Sequence, residues 1–167
     1  MRGVDATLHA HPPGILVHLR EFALLHSSSL NPTTTMTSGS CACSYISYTT
    51  SNPPTRLVNC HCGTCRKQSG GPYQTWAHFA SDDIQWQVKP TERRATNTAT
   101  RSFCPRCGSS VSMTLDRWAG LTGLAAGTLN EGPAQIPKPS LHIFLAEKAS
   151  WFEVPDDGAQ KFDLWSQ

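Results

Sequence analysis

The stretch Asn59–Gly70 reads NCHCGTCRKQSG, and the fold turns on how it is read. Cys60, Cys62 and Cys65 fall within six residues, and Arg66 and Lys67 follow at once. The other cysteines form two pairs, Cys41/Cys43 upstream and Cys104/Cys107 downstream. Seven cysteines with none isolated predict metal ligation rather than packing. An odd number would leave one thiol over in a disulfide framework, and the C-x-C and C-x-x-C spacings suit chelation better than bridging. Zinc thiolates persist in a reducing compartment, so a cytoplasmic location is expected.

Structural zinc is held by four protein ligands, whereas catalytic zinc typically keeps three and leaves one position open. Eight cysteines would close two sites; seven close one and leave a three-thiolate site. In Cys41-Ala42-Cys43 the i, i+2 spacing puts both sulfurs on one face of an extended strand. Cys104-Pro105-Arg106-Cys107-Gly108 reads as a zinc knuckle in which Gly108 carries the backbone past the metal at positive φ. Joining the two pairs would staple the start of the domain to its middle, where closing a long loop restricts the unfolded chain most. Cys60, Cys62 and Cys65 need no second segment. Spacing leaves other partitions open: Cys60/Cys62 could join Cys104/Cys107, and His61, His78 or His142 could complete the second set. On a strand, His61 should point away from its neighbouring ligands.

From Met36 onward the chain reads as short strands and turns with no long helical period. Tyr45–Thr50 is rich in aromatic and β-branched residues and ends at Asn52-Pro53-Pro54. Gln74–Phe79 and Ile84–Val88 follow, then a polar stretch, Lys89–Thr100, that suits a loop or an exposed hairpin. Val111, Met113 and Leu115 alternate, as do Leu141, Ile143 and Leu145, with His142 and Phe144 on the opposite face. Trp76, Trp86, Trp151 and Phe152 are expected in the core. The expected fold is mainly β, a small zinc-stapled domain of short antiparallel strands with few short helices.

Residues 1–35 contain four histidines, Ser and Thr runs and no cysteine, and Ile15–Leu25 could form a short helix. They do not match a secretory signal, and as a transit peptide they have few acids but only Arg2 and Arg20 as positive charges. They are expected to be a disordered extension or not translated, with targeting as the third alternative. The domain is expected at 36–167. A formal net charge of +2, lowered further by thiolates around zinc, gives no excess of cations for phosphates, so nucleic acid is not an expected partner. No apolar run reaches the roughly eighteen residues that a membrane span needs.

At these residues the chain resembles the glutathione-dependent formaldehyde-activating enzyme family, which also includes centromere protein V. The resemblance rests on GSCAC at Gly39–Cys43, CHCGTCRKQSG at Cys60–Gly70 and RSFCPRCGSS at Arg101–Ser110. It continues in AAGTLN at Ala125–Asn130, HIF at His142–Phe144 and SWFEVPDDG at Ser150–Gly158, and is greatest to small single-domain fungal members. It implies a β-tent fold with two zincs. Cys41, Cys43, Cys104 and Cys107 would hold the structural ion, and Cys60, Cys62 and Cys65 the catalytic one. The chain departs from the family pattern at Ser44, where Gly is usual and which must take that turn, and at Asn130, where many members have Asp.

The resemblance further implies carbon–sulfur chemistry on a small-molecule thiol, by default glutathione, with an aldehyde, by default formaldehyde. A free thiol with a pKa of about 8.5 is mostly protonated at neutral pH, and a coordinated one is deprotonated. Arg66, through a bidentate fork, and Lys67 are the candidate partners for a substrate carboxylate; the alternative is a solvated charged turn. His142 is a candidate proton shuttle if it faces the cleft. The rival readings are a lyase on another thiol adduct in a biosynthetic pathway, and a non-catalytic zinc-stapled interaction module.

Overall fold

The computed structural model describes residues 36–130, 132 and 136–165. The expected extension 1–35, with its short helix, lies outside the described residues.

The strands are β1 (Thr37–Ser40), β2 (Ser47–Thr50), β3 (Arg56–Cys60), β4 (Gln74–Ala80), β5 (Ile84–Trp86) and β6 (Thr91–Thr96). They continue as β7 (Ala99–Phe103), β8 (Ser110–Leu115), β9 (Leu121–Ala125), β10 (Pro139–Ile143) and β11 (Gln160–Lys161). One α-helix, α1 (Gly63–Ser69), follows β3. Strands β1, β2 and β5 make a three-stranded sheet, and the other eight make a second sheet in the order β11-β10-β3-β4-β9-β8-β7-β6. The fold is mainly β, as expected, but its pairing is mixed: β10 runs parallel to both β3 and β11. The connection that carries the chain from β9 to β10 delivers it alongside β3 in the same direction, which a tight antiparallel hairpin could not do.

The small sheet packs on the middle of the large one through Tyr48. Its ring is buried among Leu57, Ala77, Phe79, Ile84 and Leu124, and its hydroxyl meets Thr128 Oγ1 at 2.7 Å. Gly39 makes that approach feasible, because a Cβ there would lie 2.2 Å from the Tyr48 ring and 2.5 Å from the Thr128 carbonyl. A second cluster gathers Val58, Trp76, Ala125, Leu141 and Ile143 around Cys60 and Cys65. A third gathers Ile46 and Val111 around Cys41 and Cys104. The polar stretch after Val88 is the exposed hairpin β6–β7, as its composition suggested.

Two sequence expectations need correction. The strand at Leu141 does not continue to Leu145: Phe144 turns into the left-handed region at φ 59°, and a 3₁₀ turn at Leu145–Glu147 follows. Trp151 is not core, being 70% exposed. It sits in a turn closed by the Phe152 N–H on the Ala149 carbonyl, which sends Phe152 inward against His61 and Tyr73 and Trp151 outward.

Candidate metal centres and cavity

The first cysteine set joins two loops. Cys41 and Cys43 lie in the turn after β1, where the Ser44 N–H donates to the Cys41 carbonyl at 2.8 Å and Ser44 takes φ 59°. Cys104 and Cys107 lie in the β7–β8 turn, where the Gly108 N–H donates to the Cys104 carbonyl at 2.9 Å and Gly108 takes φ 76°. Gly108 takes the positive φ expected of the knuckle, and Ser44 takes the turn that the resemblance gives to Gly. The Ala42 N–H reaches Ser109 Oγ across the two loops at 3.1 Å, and Cys43 Sγ lies 3.8 Å from Cys104 Sγ. All four sulfurs lie within 4.8 Å of one another. Arg106 lies over the Tyr45 ring at 3.4 Å, stacking one loop on the other.

The second set is made by the end of a strand and the start of a helix. Cys60 is the last residue of β3, and Cys62 is the N-cap of α1 with its Sγ accepting from the Cys65 N–H at 3.4 Å. Cys65 sits in the first helical turn, buried. The helix is held at both ends. Glu147 accepts from the Gly63 N–H at 2.9 Å, and Gly70, left-handed at φ 72°, donates to the Arg66 carbonyl at 2.9 Å. The three sulfurs lie within 4.8 Å of one another, and no other Cys, His, Asp or Glu donor among the described residues joins them. The structure thus brings Cys60 and Cys62 together with Cys65, and Cys104 and Cys107 with Cys41 and Cys43.

The donor sets suit zinc. Cys65 is pulled well below the usual thiol range by hydrogen bonds from Cys60 and Cys62 and then by Arg101, while those to Cys62 and Cys65 push Cys60 up. Three crowded sulfurs cannot all ionise unless a cation sits among them, and a soft divalent ion is the one that thiolates select.

Cys60, Cys62 and Cys65 open onto a cavity of about 320 Å³. Its walls are largely apolar, from Met113 and Leu115 of β8, Phe144 and Trp165, with Thr96 and Thr98 from the β6–β7 hairpin. The left-handed Phe144 sets its ring 5.0 Å from that of Trp165. Among the described residues two cations line the cavity, Arg101 and Arg117, and no carboxylate does. The Arg117 guanidinium carbon stacks at 4.8 Å and 4.5 Å from the Trp118 and Trp165 ring centroids.

Arg66 and Lys67 do not line this cavity. A helix turns by about 100° per residue, so with Cys65 facing inward the next two side chains swing away from it. Arg66 Nε donates to the His61 carbonyl at 3.3 Å instead, and Lys67 is exposed. Nothing in the local sequence pointed to Arg101 or Arg117, which are brought to the cavity by sheet pairing and by a turn after β8.

His61 points away from the sulfurs, as strand alternation required, and enters a buried chain. His61 Nε2 lies 2.9 Å from His142 Nδ1, and His142 Nε2 lies 3.1 Å from Asp157 Oδ2. Burial pushes His61 down to about 4, and the His142 ring holds Asp157 below the usual carboxylate range. The polarity that leaves no bare N–H has His142 donating to Asp157 and His61 donating to His142, so the unpartnered His61 Nδ1 is a lone pair. His142 is fully buried and does not line the cavity.

No helix among the described residues is long and apolar enough to cross a membrane. No curated protein matches the chain. Among solved structures it is similar to a crystal structure of a Rhodobacter sphaeroides protein. The identity is 18% and the TM-score 0.48, covering 60% of this chain and 97% of that one. The model of the glutathione-dependent formaldehyde-activating enzyme family matches residues 36–147. That match takes in more than half of the chain and every one of its cysteines, and the chain belongs to the glutathione-dependent formaldehyde-activating enzyme family.

Proposed function

We propose that the protein is a zinc-dependent carbon–sulfur lyase or ligase that joins a small-molecule thiol to an aldehyde, by default glutathione to formaldehyde, giving S-hydroxymethylglutathione. The observation that carries this reading is a three-sulfur set opening onto a cavity in a chain of this family. Cys41, Cys43, Cys104 and Cys107 are the structural ligands in this proposal, and Cys60, Cys62 and Cys65 the catalytic ones. Zinc at the second set would keep a fourth sulfur donor as thiolate and fix its position.

The chain's own residues do the rest. The apolar walls displace water from the reacting atoms, so the charges inside act at lower dielectric. Arg117, preorganised by stacking on two indoles, is placed to take a substrate carboxylate by a bidentate fork. It replaces Arg66 and Lys67 in that role. In the forward direction the thiol gives up its proton to water, and its sulfur adds to the aldehyde carbon as the carbonyl π bond breaks and the C–S bond forms. The resulting alkoxide oxygen takes a proton back from water. The reverse breaks that bond and returns thiol and aldehyde. The domain is assigned to 36–167, the protein to a reducing compartment such as the cytoplasm, and its place in the family to the small single-domain fungal type.

A second reading has specific support. Among the described residues the cavity offers two cations, no acid and five apolar side chains, whereas glutathione carries an ammonium as well as two carboxylates. A thiol adduct with an apolar body and a carboxylate fits those walls better, with the same bond made or broken.

The test is a calorimetric titration of glutathione into the zinc-loaded chain, with S-methylglutathione as control. Heat that requires the free thiol and vanishes in Cys62→Ser supports sulfur binding at the second set. Absence of heat with either ligand overturns glutathione as substrate. Binding of 3-phenyl-2-sulfanylpropanoate in its place then favours the apolar adduct.

A further inference from the structure

Arg101, in the middle of β7, is only 5% exposed. A buried guanidinium is strongly disfavoured unless an anion answers it. Among the described residues no ion pair includes Arg101 and no carboxylate lines its cavity. What it touches is sulfur: Nη2 donates to Cys65 Sγ at 3.2 Å. Nη1 donates to Gln68 Oε1 at 2.6 Å, and the guanidinium lies 5.4 Å from the Trp76 ring centroid. Trp76 Nε1 donates to the same sulfur at 3.5 Å. The third nitrogen, Nε, is buried without a partner. Gln68 lies one helical turn beyond Cys65 on α1, so a single helix face presents both the sulfur and the amide that aims the arginine at it.

We propose that Arg101 is the counter-charge of the Cys60/Cys62/Cys65 set. It is a positioning residue that fixes Cys65 and offsets the negative charge three thiolates leave around a divalent metal, so that an anionic thiol can join as fourth donor. The inference rests on the reading above that these three cysteines hold a metal. Three thiolates around a dication leave one negative charge over, and a further anion brought into an apolar cavity is repelled with little screening. A guanidinium on Cys65 cancels that charge. By drawing electron density from the sulfur, it also leaves the metal a better acceptor than three unmodified thiolates would. Arg101 therefore sets which ligands the site admits, favouring a thiolate over a neutral donor.

The test uses the full chain loaded with cobalt(II) or zinc. Cys62→Ser serves as the reference that lacks the second site, so its spectrum can be subtracted. In Arg101→Met the sulfur-to-cobalt charge-transfer band of the second site should move to lower energy, because an unbonded thiolate gives up its electrons more readily. Zinc affinity of that site should fall about 10–100-fold in chelator competition, with the Cys41 set unchanged as internal control. Arg101→Lys should recover part of both, since it keeps the charge and loses the fork. Gln68→Ala, which leaves the buried cation in place and only loosens its aim, should move the band the same way by less. An unmoved band with unchanged affinity in Gln68→Ala and Arg101→Met overturns the proposal, as does equal zinc loss from both sites, which marks a role in folding alone. If Cys62→Ser binds as much cobalt as the wild type, the metal reading itself falls and the proposal with it.

Discussion

At Gly39 a side chain has nowhere to go. A methyl group would overlap the Tyr48 ring and the Thr128 carbonyl together, and the second is backbone that cannot rotate aside. Gly39→Ala is expected to cost about 2–3 kcal/mol through overpacking, measured by urea unfolding. An unchanged midpoint would show that the two sheets can part without loss. His78 makes a different demand. Burial, and then Arg56 beside it, lower its imidazole to about 4, while the unfolded chain titrates at its ordinary value of 6.5. Because the folded value is depressed, the unfolded state takes up the proton first. Stability is complete above pH 6.5 and declines as the pH falls towards 4, by at most about 1.4 kcal/mol per pH unit. His78→Gln, which retains an acceptor for Arg56 Nε, should show a shallower decline between pH 7 and pH 5. Both proteins carry the same cysteines, so proton competition at the metal cancels in the difference. Identical slopes would remove His78 as the cause.

Two short elements present the cysteines, and each depends on a left-handed residue. Ser44 closes the Cys41/Cys43 turn at φ 59°, a region that costs a residue with a Cβ about 1–2 kcal/mol. Ser44→Gly should therefore stabilise the zinc-loaded protein by about 1 kcal/mol, less the entropy that glycine adds to the unfolded chain. A fall in melting temperature would mean that the serine side chain contributes more than its strain costs. Gly70 is the mirror case, since it ends the helix that carries Cys65 and Gln68 at φ 72°. Gly70→Ala should cost about 1 kcal/mol. Metal affinity of the second site should drop with it while that of the first stays constant, a split that chelator competition resolves. That Cys60, Cys62 and Cys65 can converge within one segment was legible in sequence from their spacing, but that a strand end and a helix start bring them together was not. The left-handed Phe144 was not legible: alternation through Leu145 continued the strand on paper, and only pairing with the C-terminal segment shows why it stops.

At the scale of the molecule the two cysteine sets are placed differently, and the proposed metal sites should therefore have unequal duties. The first ties the β1–β2 turn of the small sheet to the β7–β8 turn of the large one, so its loss should free one sheet from the other. The second is local to one junction. Cys104→Ser is expected to lower the melting temperature by about 10 °C or more, whereas Cys62→Ser should leave the fold standing with one metal fewer. Metal counting beside circular dichroism checks both. Equal destabilisation by the two variants would contradict this division of labour.

The sequence by itself determined what is set by chemistry and short-range geometry. That comprises two thiol sets of unequal number, the turn at Gly108, the outward turn of His61 between its neighbours, and a fold of short strands. These follow because spacing of a few residues fixes side-chain direction within one element. Only the tertiary structure decided which charges meet the sulfurs. Arg66 and Lys67 adjoin Cys65 in the chain, yet helical rotation carries them away from the cavity. Arg101 lies 36 residues further on and reaches the same sulfur through strand pairing. Proximity in sequence and proximity in space coincide only within one strand or turn, and beyond that the sheet order sets which residues meet.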